Sequence, residues 1–237
     1  METGGVRSRG RGPGRGGMDF EQLVRSRYSC RKFLQKPVPL ETMEKILDLA
    51  QQTPSWCNCQ PWQVVLVTGP AVASFRDSLL THAAGGHPPK PDFPFPLRYE
   101  GVYRERRKVC GVQLYQALGI RRENREGAER QRLENFRFFD APHVALITTE
   151  EELGVYGALD CGLYVANFML AAKNFGVDSI AQAALASYPD LIRSCFGLPA
   201  NRKLVCGISF GYADAKHLIN GYRTERSPVG EAVKFAD

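Results

Sequence analysis

No stretch of this 237-residue sequence runs for the roughly 18 consecutive apolar residues that a membrane span requires. The richest segment, Leu163–Ala172, is broken by Asn167 and closed by Lys173, so no membrane partner is expected. Histidine is scarce: His82, His87, His143 and His217 are the only four, and they are scattered. Cys57-x-Cys59 has one intervening residue and no second pair nearby. Neither pattern builds a zinc site, and no metal is expected. There is no GxGxxG after a strand and no Walker lysine motif, so nucleotide binding by those phosphate loops is unsupported. There is no GxSxG nucleophile elbow either. The seven cysteines are odd in number and dispersed from Cys30 to Cys206. That distribution excludes a secreted disulfide framework and fits reduced thiols in a cytoplasmic protein.

What remains is an ordinary globular composition, 43% hydrophobic and 24% charged. A chain of this length buries a sizeable core without disulfides. The net charge of +6 is less informative than it looks. Residues 1–17 hold four arginines and one glutamate, which leaves +3 for the other 220 residues. Nucleic acid is therefore not called for by the body of the chain. The tail has seven glycines and almost no apolar side chains, so it cannot bury enough surface to offset its ordering entropy. It is expected to be a disordered Gly/Arg-rich tail. It lacks the apolar core of a secretory signal. An RNA-binding arm of RG type is the alternative use of it. A single domain is expected over residues 18–237.

Along that domain, helices and strands interleave irregularly. Asp19–Arg27 predicts a short helix. In Leu40–Gln52, Met43, Ile46, Leu47 and Ala50 fall on one helical stripe, and Thr53-Pro54 stops it. Helices are also predicted over Ala71–His82, Tyr99–Leu118, Leu153–Phe175 and Tyr188–Cys195. The short β-branched runs Gln63–Thr68, Val144–Thr149, Val177–Ile180 and Leu204–Tyr212 predict strands. Gly176 suits the left-handed cap of the long helix. Ala84–Pro96, with five prolines, is a long loop, and such loops are usually functional or disordered. The mixed-charge run Arg121–Glu134 is a solvated helix or a mobile cover over a site. The irregular order favours α+β over a doubly wound sheet.

Four segments carry polar groups in patterns that suggest chemistry. In Arg27-Tyr28-Ser29-Cys30-Arg31 the two arginines and the serine alternate, so an extended backbone aims all three to one side. Two guanidiniums and a hydroxyl match a phosphate group. Pro54-Ser55-Trp56-Cys57-Asn58-Cys59-Gln60-Pro61-Trp62 is a rigid loop between a helix and a strand. Its short polar side chains suit the edge of a planar heterocycle; a plain helix-to-strand turn is the alternative. The small residues of Gly176–Ala184 let a ligand approach the backbone closely. Asn220–Pro228 adds Arg223 and Arg226.

Together these four segments resemble the FMN-dependent nitroreductase family, and the resemblance covers about nine-tenths of the chain. Tyr103–Gly119, Asn135–Pro142 and Val205–Asp214 look most like its nitrobenzoate-reductase branch. The resemblance implies a central mixed, mainly antiparallel sheet flanked by helices, in an intertwined homodimer with two sites at the interface. It implies that Arg27, Tyr28, Ser29 and Arg31 hold the flavin phosphate and ribityl chain, with Arg226 as the late phosphate-binding arginine. Pro54, Ser55, Trp56 and Asn58 fall in the loop that such proteins contribute from the partner subunit. Ile180, Ala181, Gln182 and Ala183 fall where the backbone approaches the flavin N5 edge. Some relatives place an acidic residue and a glycine where this chain has Ala183 and Ala184.

No motif supplies a protein acid or base, so no catalytic side chain is assigned and the flavin carries the chemistry. The implied reaction passes a hydride from NADH or NADPH through flavin N5 to a nitroaromatic or similar flat acceptor. One shared site gives ping-pong order. Reductive dehalogenation, quinone reduction and enone reduction remain open on the same scaffold, as does flavin storage without turnover. Phe93, Phe95 and Tyr99, with the Arg121–Glu134 run, are candidates for the substrate wall.

Overall fold

The computed structural model describes residues 18–236. The Gly/Arg-rich tail, with its expected disorder and its alternative RNA-binding role, lies outside the described residues. The helices are α1 (Phe20–Ser26), α2 (Leu40–Gln51), α3 (Pro70–Ala84), α4 (Gly101–Ala117), α5 (Arg125–Leu133), α6 (Gly154–Asn174) and α7 (Pro189–Phe196). The strands are β1 (Gln63–Val67), β2 (His143–Glu150), β3 (Asp178–Gln182) and β4 (Arg202–Gly211). They form one sheet in the order β1-β2-β4-β3. Every ladder is antiparallel. The parallel part of the expected mixed sheet reduces, among the described residues, to one bridge between Ser29 and Ser179.

Central β2 is buried on both faces, which is why it reads as an uninterrupted apolar run rather than an alternation. Alternate side chains still go to opposite sides. Val144 and Leu146 join Phe75, Leu79, Phe138 and Ile192 in one core. Ala145 and Ile147 join Met43, Ile46, Tyr164 and Phe168 in the other, beneath α2 and α6. The predicted stripe on α2 is therefore its buried face. Helix α6, with the turn before it, is long and apolar enough to cross a membrane by length and composition. Here it lies against the sheet, packing on β2 and β3. Gly176 ends it at φ +72°, as predicted. Gly207 of β4 sits under Leu185, and a Cβ there would run into that side chain.

The charged run and the proline-rich loop resolve into structure. The charged run contains α5, whose first turn is capped by the Asn124 side chain accepting from the Gly127 N–H at 2.8 Å. It buries only Gly127, so most of the run is a solvated helix laced with Arg130–Glu126 and Arg132–Glu129 pairs. The proline-rich loop is braced rather than loose. Asp92, 7% exposed at its side chain, receives the Arg193 guanidinium at 2.7 Å. It also accepts the Leu204 N–H at 2.8 Å. A buried carboxylate is tolerated only when paired in this way.

Candidate functional site

Helix α1 ends at Arg27 because the backbone turns extended there, with φ −68° and ψ 130°. The segment that follows lies along β3, the edge of the sheet. Ser29 bridges Ser179, and the Cys30 N–H donates to the Ser179 carbonyl at 3.2 Å. A left-handed turn pins the next residues: Phe138, Phe139 and Asp140 all have positive φ. From it the Phe139 carbonyl accepts the Phe33 N–H at 3.1 Å, and Asp140 pairs with Lys32. Such non-glycine conformations cost on the order of 1 kcal/mol each and persist only where surrounding contacts hold them.

Asn220 brings in the C-terminal segment. It is 5% exposed. Its Oδ1 accepts the Arg31 N–H at 2.8 Å, and its Nδ2 donates to the carbonyls of Lys32 at 2.8 Å and Asp214 at 2.9 Å. One buried amide thus joins two segments 189 residues apart. The first, third and fourth segments of the sequence pattern meet here.

The meeting place is strongly cationic. Arg27 is half-buried; that burial, and then the nearby Arg226 guanidinium, lower its pKa from the ordinary arginine value. Arg31 lies 5.9 Å from the Tyr222 ring centre, and Arg223 stacks 3.7 Å from that of Tyr28. Tyr28 also meets Lys173, which is paired with Asp178 at 2.9 Å. The hydrogen bonds of Arg31, Arg223 and Arg226 go to carbonyl or hydroxyl oxygens: Ser29, Asn220, Tyr222, Thr224 and Glu225. None of these guanidiniums pairs with a carboxylate among the described residues. Like charges gathered without a carboxylate paired to them among the described residues repel one another, so the arrangement favours an anion.

Beside the cations lies a flat, small-residue edge. The Ser179 carbonyl faces the Arg27 segment, so by strand alternation the Ala181 N–H and C=O also face away from β4. Ala181 and Ala183 are exposed. Ile180 is buried, and so is Gln182. The Gln182 amide is committed inward, donating to the Asn135 carbonyl at 3.0 Å and accepting from the Ser209 hydroxyl. The backbone polar groups of Ile180 and Gln182 alternate toward β4, so these two residues offer neither a side chain nor an N–H to the edge.

The Pro54–Asn58 loop sits elsewhere. Trp56, Cys57 and Asn58 form a tight turn in which Cys57 and Asn58 are left-handed, at φ 51° and 55°. Asp160 of α6 holds it, its Oδ2 accepting the Trp56 N–H at 3.1 Å. Trp56 also meets the Tyr156 ring at 4.3 Å, edge to face. Asp160 lies near the start of α6 and Lys173 at its end, about 20 Å apart along the helix axis at 1.5 Å per residue. One chain therefore does not bring Ser55, Trp56 and Asn58 to the cations. Pro54, Trp56 and Asn58 are exposed and face outward.

The residues that converge fit FMN. Guanidiniums and the Ser29 hydroxyl match a phosphate monoester, and the alanine-lined strand edge admits a flat ring. The Tyr222 hydroxyl, whose ring lies beside Arg31, is a buried polar group with no hydrogen-bond partner among the described residues. Buried groups of that kind are rare unless a ligand or water serves them. Asn220 and Asp160 were invisible as organisers in the sequence. An asparagine and an aspartate acquire those roles only through backbone groups distant in the chain.

Comparison with known proteins agrees. The nitroreductase family model matches residues 24–212. Nitroreductase NfnB of Mycolicibacterium smegmatis is 38% identical over 217 residues, covering 91% of this chain and 92% of its own. A 4-nitrobenzoate reductase of Nocardioides sp. is 34% identical, covering 91% and 89%. The crystal structure of the FMN-dependent NfnB from Mycobacterium smegmatis in complex with NADPH superposes with a TM-score of 0.87 at 38% identity, covering 92% of this chain and 97% of that one. The motifs, the fold and the matched length agree, and the chain belongs to the nitroreductase family.

Proposed function

We propose that this protein is an FMN-dependent oxidoreductase that uses reduced nicotinamide to reduce small nitroaromatic compounds. The observation that carries the reading is the convergence of Arg27, Arg31, Arg223 and Arg226, without a paired carboxylate among the described residues, beside an alanine-lined strand edge. Bound FMN would supply the redox chemistry that links the reduced nicotinamide to the acceptor. The protein's part is binding and placement. Arg27, Arg31 and Arg226 hold the phosphate through charge-assisted bonds, with Ser29 as a further donor. The outward amide of Ala181 and the backbone of Ala183 line the ring edge. Tyr28, in contact with both Arg223 and Lys173, keeps its ring beside the cations. No side chain there is poised as an acid or base.

The working unit in this reading is a homodimer. Helix α6 buries one face, yet Val155, Tyr156, Leu159 and Leu163 on the other are 74%, 52%, 58% and 44% exposed. An apolar stripe of that kind on a core helix suits a second copy of the chain. The same association lets Pro54, Ser55, Trp56 and Asn58 of one subunit reach the flavin of the other. The free cysteines, three of them exposed, suit a cytoplasmic location. The relatives favour nitro reduction over dehalogenation, quinone or enone reduction and RNA binding.

The test is direct. Purified protein should be yellow, release FMN on denaturation, bleach anaerobically with reduced nicotinamide, and recover its colour with 4-nitrobenzoate. A colourless protein after reconstitution with FMN would end this reading.

A further inference from the structure

Two thiols stand in the loop between α2 and β1 that the flavin site does not use. Cys57 and Cys59 are free and exposed, and they flank Asn58. The backbone around them is tightly held. The Cys59 N–H donates to the Trp56 carbonyl at 3.0 Å, and the Gln60 N–H to the Ser55 hydroxyl at 2.9 Å. Cys57, Asn58 and Gln60 all lie in the left-handed region, at φ 51°, 55° and 47°. Strain of this kind outside glycine collects at functional sites. Residues two apart lie within about 7 Å of each other even in an extended chain. The tight turn shortens that span toward the roughly 4.4–6.8 Å between the Cα atoms of a disulfide.

Both cysteines line one pocket of about 210 Å³. Trp56, Leu153, Tyr156 and Gly157 give it apolar and aromatic walls, and Asp160 is its one charged member. An apolar cavity of about 150 Å³ takes up benzene, so there is room for a single aromatic ring. The Cys59 thiol donates to Asp160 Oδ2 at 3.8 Å, a long contact through sulfur. The Cys57 thiol has no hydrogen-bond partner among the described residues and is the freer nucleophile.

Reduction of a nitroarene by two electrons gives water and a nitrosoarene, a flat molecule whose nitrogen adds thiols. We propose that Cys57 and Cys59 form a dithiol site that captures nitrosoarenes and reduces them to hydroxylamines. The Cys57 Sγ bonds to the nitroso nitrogen while its proton goes to the nitroso oxygen. The Cys59 Sγ then attacks the Cys57 Sγ. An S–S bond forms, the S–N bond breaks, and the Cys59 proton passes by way of the Asp160 carboxylate to the departing nitrogen. The nitrogen gains two electrons and the two thiols become a disulfide, which a small thiol can reduce again. The inference rests on the nitroaromatic reading for its electrophile. In that reading this loop reaches the flavin of the other subunit, so the nitrosoarene is formed beside it.

The experiment adds one equivalent of nitrosobenzene to the FMN-loaded full chain, without air or nicotinamide, and maps the cysteines by peptide mass spectrometry. The loop should gain a Cys57–Cys59 disulfide as phenylhydroxylamine is released, and dithiothreitol should reverse it. In C59S the reaction should stop at a Cys57 adduct. Cys195, the third exposed cysteine, does not line this pocket and is the internal control. Cys57 should react about tenfold faster than Cys195, the gain expected from packing one ring on Trp56 and Tyr156. In C57S the Cys59 thiol should have no such advantage. Equal labelling of Cys57, Cys59 and Cys195 overturns the inference, and so do loop thiols left intact. A second arm replaces nitrosobenzene with reduced nicotinamide and 4-nitrobenzoate. A loop disulfide formed during turnover supports the inference. Turnover that leaves both thiols reduced overturns it and spares the flavin reading. No turnover, with the disulfide still formed by added nitrosobenzene, overturns the flavin reading and supports the dithiol site.

Discussion

Arg27 is the most informative residue to remove. It is half-buried, has no carboxylate partner among the described residues and sits beside Arg226, whose like charge repels its own. In R27A the flavin phosphate loses one charge-assisted contact, worth about 1.5–3 kcal/mol. Taking about 2 kcal/mol, FMN affinity should fall about 30-fold. At a fixed excess of FMN the stabilisation conferred by the ligand should fall by the same 2 kcal/mol or so. For a chain of this size that lowers the holoprotein Tm by about 4–8 °C. The apoprotein should behave differently. Without FMN, Arg27 contributes only desolvation and repulsion, so its removal should leave the apo Tm unchanged or slightly raised. Quenching of FMN fluorescence gives the affinity, and thermal scans of apo- and holoprotein give the two Tm values. The reasoning fails if affinity stays within threefold of the parent. It also fails if apo- and holoprotein lose equal stability, because Arg27 would then be a structural residue and the cationic cluster would not be a cradle.

Three further outcomes are expected. Placing a charge on the exposed stripe of α6, as L159E, should shift light scattering from dimer to monomer and abolish FMN retention; a variant monomer that stays yellow would refute the shared-site arrangement, and a variant that stays dimeric would refute the α6 stripe as the interface. Burial holds His143 below its ordinary pKa of 6.5, its Nε2 accepting the Val38 N–H at 2.9 Å. The unfolded chain therefore takes up a proton that the folded one refuses, so stability should fall as pH drops below about 6.5. H143Q should flatten that slope between pH 7 and pH 5 in urea titrations, and an unchanged slope would clear His143 of the effect. In G207A the new methyl meets Leu185, and overpacking should cost about 1–3 kcal/mol in a urea titration of the apoprotein, with L185A restoring part of it; neutrality of G207A would show that Leu185 can yield.

How much was legible before the structure depends on which interactions are local. The stripe Met43, Ile46 and Ala50 announces α2 because helix periodicity is a property of neighbours in sequence. The apolar runs of β1 and β2, the stop at Thr53-Pro54 and the left-handed cap at Gly176 are local in the same sense. The alternating Arg27, Ser29 and Arg31 likewise declare a donor set, since an extended chain aims alternate residues one way. The sequence by itself thus determined the elements, the cationic chemistry and the absence of any motif for a protein acid or base. Only the tertiary structure decided what those groups meet. It placed Asn220 between two segments 189 residues apart, turned the Gln182 amide inward to Asn135 and Ser209, and tied the proline-rich loop down through Asp92 and Arg193. It also set the Ser55–Asn58 loop at the far end of α6 from the arginines. Hydrogen bonds and ion pairs between distant residues depend on how the chain is packed in space, and no short window of sequence contains that information.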